Sequence, residues 1–426
     1  MIFGPGSSSQ LFLKYLSTVL TFTTTDSPML VSVPGDVNND GYVDILLGSF
    51  LNGKSFVVFG SVNGIQSIAN LTSTAVGTNI EISDPVADSW QGFSVSGCLG
   101  DFNGDGIADF LVGAPGSAYF VYYYPYPPDY YSLDAYQADS SAYIVFGSPD
   151  LGDLDLSNLS PSTGVVLQGK SYSLTGFSVA GVGNVNANPR KLASVLVGAP
   201  LAGSAGEAYL IFGSTSSAGS LDLADTDDSP AFLTISGLAP NDYTGWAVSS
   251  AGDFNGDQVL DFLVSAPCAS YAISSSSVAS LVGMVYLVLG SASLTADISL
   301  ADFNASQGMT VVGSAAYDMI GISLAGIGDI NGDGFADILI GVSALPVPSL
   351  CLSSDLLVLF LFLFPIDIDR HRMPRAAQAS ASWSSAAPAR PPRSSRTACS
   401  RRARASSSSR QTPRTTPASP SEPPAT

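Results

Sequence analysis

Four short segments of this 426-residue chain gather carboxylates at one fixed spacing. Asp36, Asn38, Asp40 and Asp44 recur as Asp101, Asn103, Asp105 and Asp109, as Asp253, Asn255, Asp257 and Asp261, and as Asp329, Asn331, Asp333 and Asp337. In a tightly curled loop, side-chain oxygens at positions 1, 3, 5 and 9 can share a centre. The backbone carbonyl at position 7, from Tyr42, Ile107, Val259 or Phe335, can join them. Such an all-oxygen set suits Ca2+, which takes about 6–8 oxygens and tolerates irregular geometry, whereas Mg2+ demands an octahedron and holds its waters. Ca2+ is therefore the expected ion. An EF-hand closes with Glu at position 12 and lies between helices; here the last carboxylate stands at position 9 and leads into a segment such as FLVGAP. Asp, Asn and Gly also form Asx turns that need no ion. Four copies that each crowd three carboxylates favour the ion, because like charges brought close repel. Gly41, Gly106 and Gly334 at position 6 permit the bend, and Gln258 replaces them in one copy, which makes that site the weakest.

A fifth copy departs from the pattern. Asn184, Asn186 and Asn188 fill the first three ligand positions without charge, Pro189, Arg190 and Lys191 follow, and Ser194 replaces the closing Asp. This unit is expected to fold without metal, with Arg190 or Lys191 supplying positive charge; the competing reading is a degraded loop.

The loops sit inside a longer repeat. It reads GFSVSGCLGDFNGDGIADFLVGAP from Gly92, GFSVAGVGNVNANPRKLASVLVGAP from Gly176, GWAVSSAGDFNGDQVLDFLVSAP from Gly245 and GISLAGIGDINGDGFADILIGVS from Gly321, with LVSVPGDVNNDGYVDILLGSF from Leu30. Successive loops begin 65, 83, 69 and 76 residues apart, a span that suits one supersecondary unit per repeat. Short alternating segments rich in Val, Ile and aromatics, bounded by Gly, Pro, Asn or Ser, read as strands. About four such strands per repeat with no helical stretch predict small antiparallel sheets packed radially, an all-β propeller. A β-helix or a row of sandwiches is the competitor, and the repeat length argues against both. A second phrase ends at Gly60, Gly147, Gly213 and Gly290, 37 to 41 residues before the next loop, and Gly4 stands 32 residues before Asp36. The first residues are thus expected to enter near the end of a preceding repeat.

Composition narrows the function. Eleven of the sixteen basic residues lie between Arg370 and Arg414, so residues 1–364 set 5 bases against 32 acids. Such a surface attracts cations and repels phosphate backbones, which excludes nucleic acid as an expected partner. The lone His371 lies outside the repeats, leaving them without a histidine for acid–base chemistry. Cys98, Cys268, Cys351 and Cys399 show neither CxxC nor short-range pairing. No signal peptide is legible, and the strongest apolar run, Leu356 to Phe364, is far shorter than the roughly 20 residues of a membrane-spanning helix.

The VFG and GAP phrases flanking a DxNxDGxxD loop resemble the FG-GAP repeats of integrin α-subunit ectodomains and of related secreted or surface proteins, over roughly residues 1–345. The resemblance implies a seven-bladed propeller built from four-stranded blades, with calcium ions bracing loops on one face and partners binding the other. About five repeats are recognisable, so the propeller is expected to be incomplete. From residue 346 to 426 the register, acidity and strand pattern are lost. An apolar run gives way there to an Arg/Ser/Ala/Pro-rich segment, read as a disordered tail or as sequence that is not genuinely coding.

The expected function is that of a calcium-binding extracellular module for adhesion or ligand recognition, non-catalytic, taking a protein or glycan on a propeller face, with a second subunit as a further partner. Sequons at Asn70, Asn158 and Asn304 agree with a secreted or cell-surface glycoprotein. A tyrosine-rich interruption from Ala118 is a candidate recognition loop, or simply an insertion without a partner. The alternative is an accessory or catalytic propeller of a secreted hydrolase or lyase, phospholipase D-like or carbohydrate-active. Against it, almost every clustered acid belongs to a loop, and no serine has an identifiable base.

Overall fold

Each repeat supplies short apolar segments bounded by turn residues, and in an extended chain alternate side chains point to opposite faces. The computed structural model describes residues 9–15, 18–24, 30–50, 53–62, 79–84, 86, 89–98, 100–116, 140–216, 218–225, 231–274, 277–279 and 281–342. All of them lie in the first of the two units into which the chain divides, Met1–Ala381. The expected tail, 346–426, and most of the tyrosine-rich interruption lie outside the described residues, as do Asn70, Cys351, Cys399 and His371.

A hairpin of β1 (Ser9–Tyr15) and β2 (Thr18–Thr24) comes first. The first full blade follows as β3 (Leu30–Gly35), β4 (Asp44–Ser49), β5 (Lys54–Val58) and β6 (Asn79–Ser83), each antiparallel to the one before. The second runs β7 (Ser94–Gly97), β8 (Phe110–Ala114), β9 (Ser141–Val145), a two-residue β10 (Leu154–Asp155) and β11 (Gly164–Gln168). The third runs β12 (Ser178–Gly183), β13 (Ser194–Ala199), β14 (Glu207–Ile211), a short β15 (Ser220–Asp222) and β16 (Phe232–Ser236). The fourth has β17 (Val248–Gly252), β18 (Asp261–Ala266), a small hairpin of β19 (Tyr271–Ser274) and β20 (Ser277–Ala279), β21 (Met284–Val288), β22 (Ile298–Ser299) and β23 (Gly308–Val312). A fifth repeat is represented by β24 (Leu324–Gly328) paired with β25 (Asp337–Ile340). The architecture is the all-β propeller that the repeat predicts, with four blades and the start of a fifth among the described residues.

The core lies between the blades. Because the side-chain period is two, β8 sends Phe110 and Val112 against Leu46, Val57 and Ile82 of the first blade, and Leu111 against Val195, Val197 and Tyr209 of the third. Likewise β13 sends Leu196 the other way, toward Phe262 and Val264 of the fourth. The second strands are buried at every position for this reason. Each fully buried Leu, Val or Phe contributes about 1.5–3 kcal/mol. The inner strands β3, β7, β12, β17 and β24 lie side by side in turn. The Ser96 hydroxyl accepts from Gly181 N, and the Ser249 hydroxyl from Gly326 N. Contact is so close that a Cβ at Gly113 would stand 2.1 Å from the carbonyl oxygen of Gly176 in the next blade. That steric demand explains a glycine in the GAP phrase.

One feature departs from the four-stranded expectation. The first three sheets carry a fifth, parallel strand lent by the following repeat: β10 on β6, β15 on β11 and β22 on β16. Behind each lent strand a leucine, Leu156, Leu223 or Leu300, is buried between blades.

Candidate functional site

Every acidic loop joins the end of an inner strand to the start of a second strand, and its curl is written by its own carboxylates. In the first, Asp36 Oδ1 accepts from Asp40 N at 3.0 Å and Oδ2 from Gly41 N at 2.7 Å. Asn38 Oδ1 also accepts from Asp40 N, and Asp40 Oδ1 accepts from Tyr42 N at 2.9 Å. The loops of Asp101, Asn103, Asp105 and Ile107, of Asp253, Asn255, Asp257 and Val259, and of Asp329, Asn331, Asp333 and Phe335 repeat this set. At position 6 Gln258 takes φ +70° and donates to Asp253 Oδ2 as the glycines do, accepting a left-handed backbone that costs a side-chain-bearing residue about 1–2 kcal/mol.

The closing carboxylate has a second task that spacing alone does not reveal. Asp44, Asp109 and Asp261 are wholly buried. One oxygen of each accepts from the position-2 amide, Val37, Phe102 or Phe254, at 2.7–2.9 Å. The other reaches across the sheet to the amide of Gly60, Gly147 or Gly290 at the end of the third strand, at 2.8–2.9 Å. This bond ties the VFG phrase to the loop and explains why the two recur together. Asp337 accepts from Ile330 N in the same way.

Burial pushes these acids up from the usual 3.8: Asp44 and Asp261 to about 6 and Asp109 to about 7. The amide bonds oppose the shift. The neighbouring charges of Asp40 and Asp36, of Asp105 and Asp101, and of Asp257 add to it. The ion pairs Lys54–Glu81 and Lys170–Glu207 leave the loop carboxylates out. Among the described residues, no three His, Cys, Asp or Glu side chains are drawn together as a metal-holding group. The loop oxygens turn instead to loop amides. A carboxylate oxygen has two lone pairs and an N–H occupies one, so the donor set retains capacity for a hard cation.

The loops also bond to the next blade. The carbonyls of Val37, Phe102 and Val185 accept from the amides of Ser148, Ser214 and Ser291, and those of Asp101 and Asp253 from Ala193 and Ala336. Whatever stiffens a loop therefore stiffens the joint between blades.

The third-blade loop, which carries no acid, makes nearly the same curl. Asn184 Oδ1 accepts from Asn188 N at 2.7 Å, Asn186 Oδ1 shares that amide, and Asn188 Oδ1 accepts from Arg190 N at 2.8 Å. The Asn184 amide group donates to Asn188 O, and Arg190 reaches the Thr215 hydroxyl. Ser194 takes the register place of the closing Asp, opposite Gly183, and its buried hydroxyl has no hydrogen-bond partner among the described residues.

At the other end of the inner strands stands a feature missed in the sequence. Phe50, Trp90, Phe93, Phe177, Trp246 and Tyr243 form a continuous run of rings, with Phe93–Phe177 at 4.9 Å and Phe177–Trp246 at 4.8 Å. All six are partly exposed. The turns behind them hold Trp90, Tyr172, Leu174, Asn241, Tyr243, Tyr317 and Met319 at positive φ. The aromatic after the repeat's opening glycine, in GFSV and GWAV, was the available signal.

Cys98 and Cys268 are buried thiols. No helix among the described residues is long and apolar enough to cross a membrane. No curated protein matches the chain. Residues 93–124, running from the aromatic entry of β7 through the acidic loop and β8, match the family model described as FG-GAP repeat, and the same strand–loop–strand unit is what the neighbouring blades reiterate.

Proposed function

We propose that the chain is a calcium-braced extracellular recognition module of the propeller class, non-catalytic, that takes a protein or glycan ligand at its aromatic end. The observation that carries this reading is a contrast between loops. Three blades bury a carboxylate raised to about 6–7 beside further acids, whereas the third blade closes the same turn with none. Acids that the turn does not need, and that burial and mutual repulsion oppose, are accounted for by a cation.

The residues that would hold it are Asp36, Asn38, Asp40 and Asp44 with the Tyr42 carbonyl, and their counterparts in the other three loops. A bound dication would keep the buried acids ionised, and the loop-to-blade amide bonds would carry the stiffening onward. Millimolar calcium outside cells fills sites of about 10⁻⁴ M affinity. Exposed Asn158 and Asn304 agree with that setting. Partly exposed rings on strained turns suit recognition, since aromatic side chains supply large contact area and strained backbone gathers at binding sites.

The test is calorimetric titration of calcium into chelated protein. Four ions per chain are expected, and Asp101→Asn with Asp105→Asn is expected to lower the count by one. At a hundredfold excess over Kd each site adds about 2.7 kcal/mol to stability. A melting temperature identical in calcium and in chelator overturns the reading.

A further inference from the structure

The outer strands of the first three blades share one kind of cover. On β6, β11 and β16 a short strand from the next repeat lies parallel. An oxygen of the residue leading it, Asp153 Oδ1, Gly219 O or Asp297 Oδ1, accepts the outward amide of Glu81, Val166 or Thr234 at 2.8–2.9 Å. Just beyond, the Leu223 and Leu300 amides donate to Gln168 O and Ser236 O, and Leu156, Leu223 and Leu300 are buried between blades.

In the fourth blade β23 holds the same place. Thr310 pairs with Tyr286 as Thr234 pairs with Tyr209, so its amide also points away from the sheet. Among the described residues nothing accepts it. Met309 and Val311 are only half-buried, where Leu233 and Ile235, or Ile80 and Ile82, are buried. Beside them Ile338 and Ile340 of the fifth repeat and partly buried Val342 complete an apolar seat.

We propose that this edge of β23 docks an extended segment of the form (Asp/Ser)-(Leu/Ile)-(Asp/Ser)-Leu from another polypeptide, added as a parallel fifth strand. The occupant's chemistry is set by the three covered edges, which use Asp153-Leu154-Asp155-Leu156, Ser220-Leu221-Asp222-Leu223 and Asp297-Ile298-Ser299-Leu300. Main-chain bonds to Thr310 N and Val312 O would supply affinity, and the leucine seat specificity, the usual division in strand addition. The chain's own three segments of this form are each engaged on a blade. A related run, Ile366-Asp367-Ile368, is the competing occupant.

The experiment uses the full chain and a labelled synthetic peptide of residues 295–303, TADISLADF. Saturable binding is expected, with exchange of the outward Thr310 amide slowed by about tenfold or more on saturation. Leu300→Asp in the peptide alone is expected to abolish binding, and Thr310→Pro in the protein to weaken it about tenfold, the worth of one lost hydrogen bond. A Thr310 amide already protected in the free chain would show the edge covered in cis and overturn the proposal. Absence of binding, or binding indifferent to Leu300→Asp, overturns it as well.

Discussion

The second and third blades solve one turn with opposite chemistry. In the second, Asp101, Asn103 and Asp105 curl the loop, and buried Asp109 clamps both the loop and the third strand. In the third, three asparagines make the curl, and Ser194 contributes a hydroxyl that bonds to nothing among the described residues. Both blades present second strands buried at every position. The hairpin and the sheet are therefore indifferent to charge. The curl itself does not need the acids; what Asp109 adds is the clamp between loop and third strand, made by a carboxyl whose burial favours its protonated form.

The contrast breaks most directly at its two closing residues. Asp109→Ala strands the amides of Phe102 and Gly147 and is expected to cost about 2–6 kcal/mol in denaturant unfolding, at about 1–3 kcal/mol per stranded group. Ser194→Ala removes a buried hydroxyl that has no partner and is expected to be neutral or to stabilise by about 1 kcal/mol. Equal losses in the two variants would erase the distinction.

Acidity sharpens it next. The folded protein holds the protons of Asp44, Asp109 and Asp261 more tightly than the unfolded chain does, since each is raised from 3.8 to about 6–7. In chelator, stability is therefore expected to be highest near the bottom of that window and to fall as pH rises through it. Saturating calcium should flatten the fall, and Asp109→Asn should remove its share. A stability that rises over this interval in chelator would contradict the assignment.

The smallest effect concerns the backbone. Gln258→Gly relieves a left-handed side-chain-bearing residue and is expected to raise stability by roughly 0.5–1 kcal/mol, once the added freedom of glycine in the unfolded chain is set against the relief. Gly106→Gln should lose a similar amount. Thermal melts of the two, compared with the parent, test the symmetry.

Much of the fold was legible because it depends on period. Short apolar runs such as FLVGA and SVLVGA, bounded by turn residues and repeated near every 73 residues, left little choice but small antiparallel sheets, and the loops announced themselves by spacing. The lent strands were not legible, since two residues such as Ile298 and Ser299 are too few to show alternation. Only their recurrence beside a buried leucine gives them away. The clamp from Asp44 to Gly60 was hidden for another reason: the partners lie 16 residues apart and meet only once β4 and β5 have paired. The aromatic end was hidden because its rings come only one or two to a repeat and become a row only when inner strands align.

Because each of the first three sheets borrows a strand from its successor, the repeats are not interchangeable beads. One repeat cut out by itself would show a raw flank on one side and dangle an orphan Leu156 or Leu223 on the other, inviting edge-to-edge aggregation. The smallest piece able to stand unaided is a tandem, and damage in one member is inherited by the one before it.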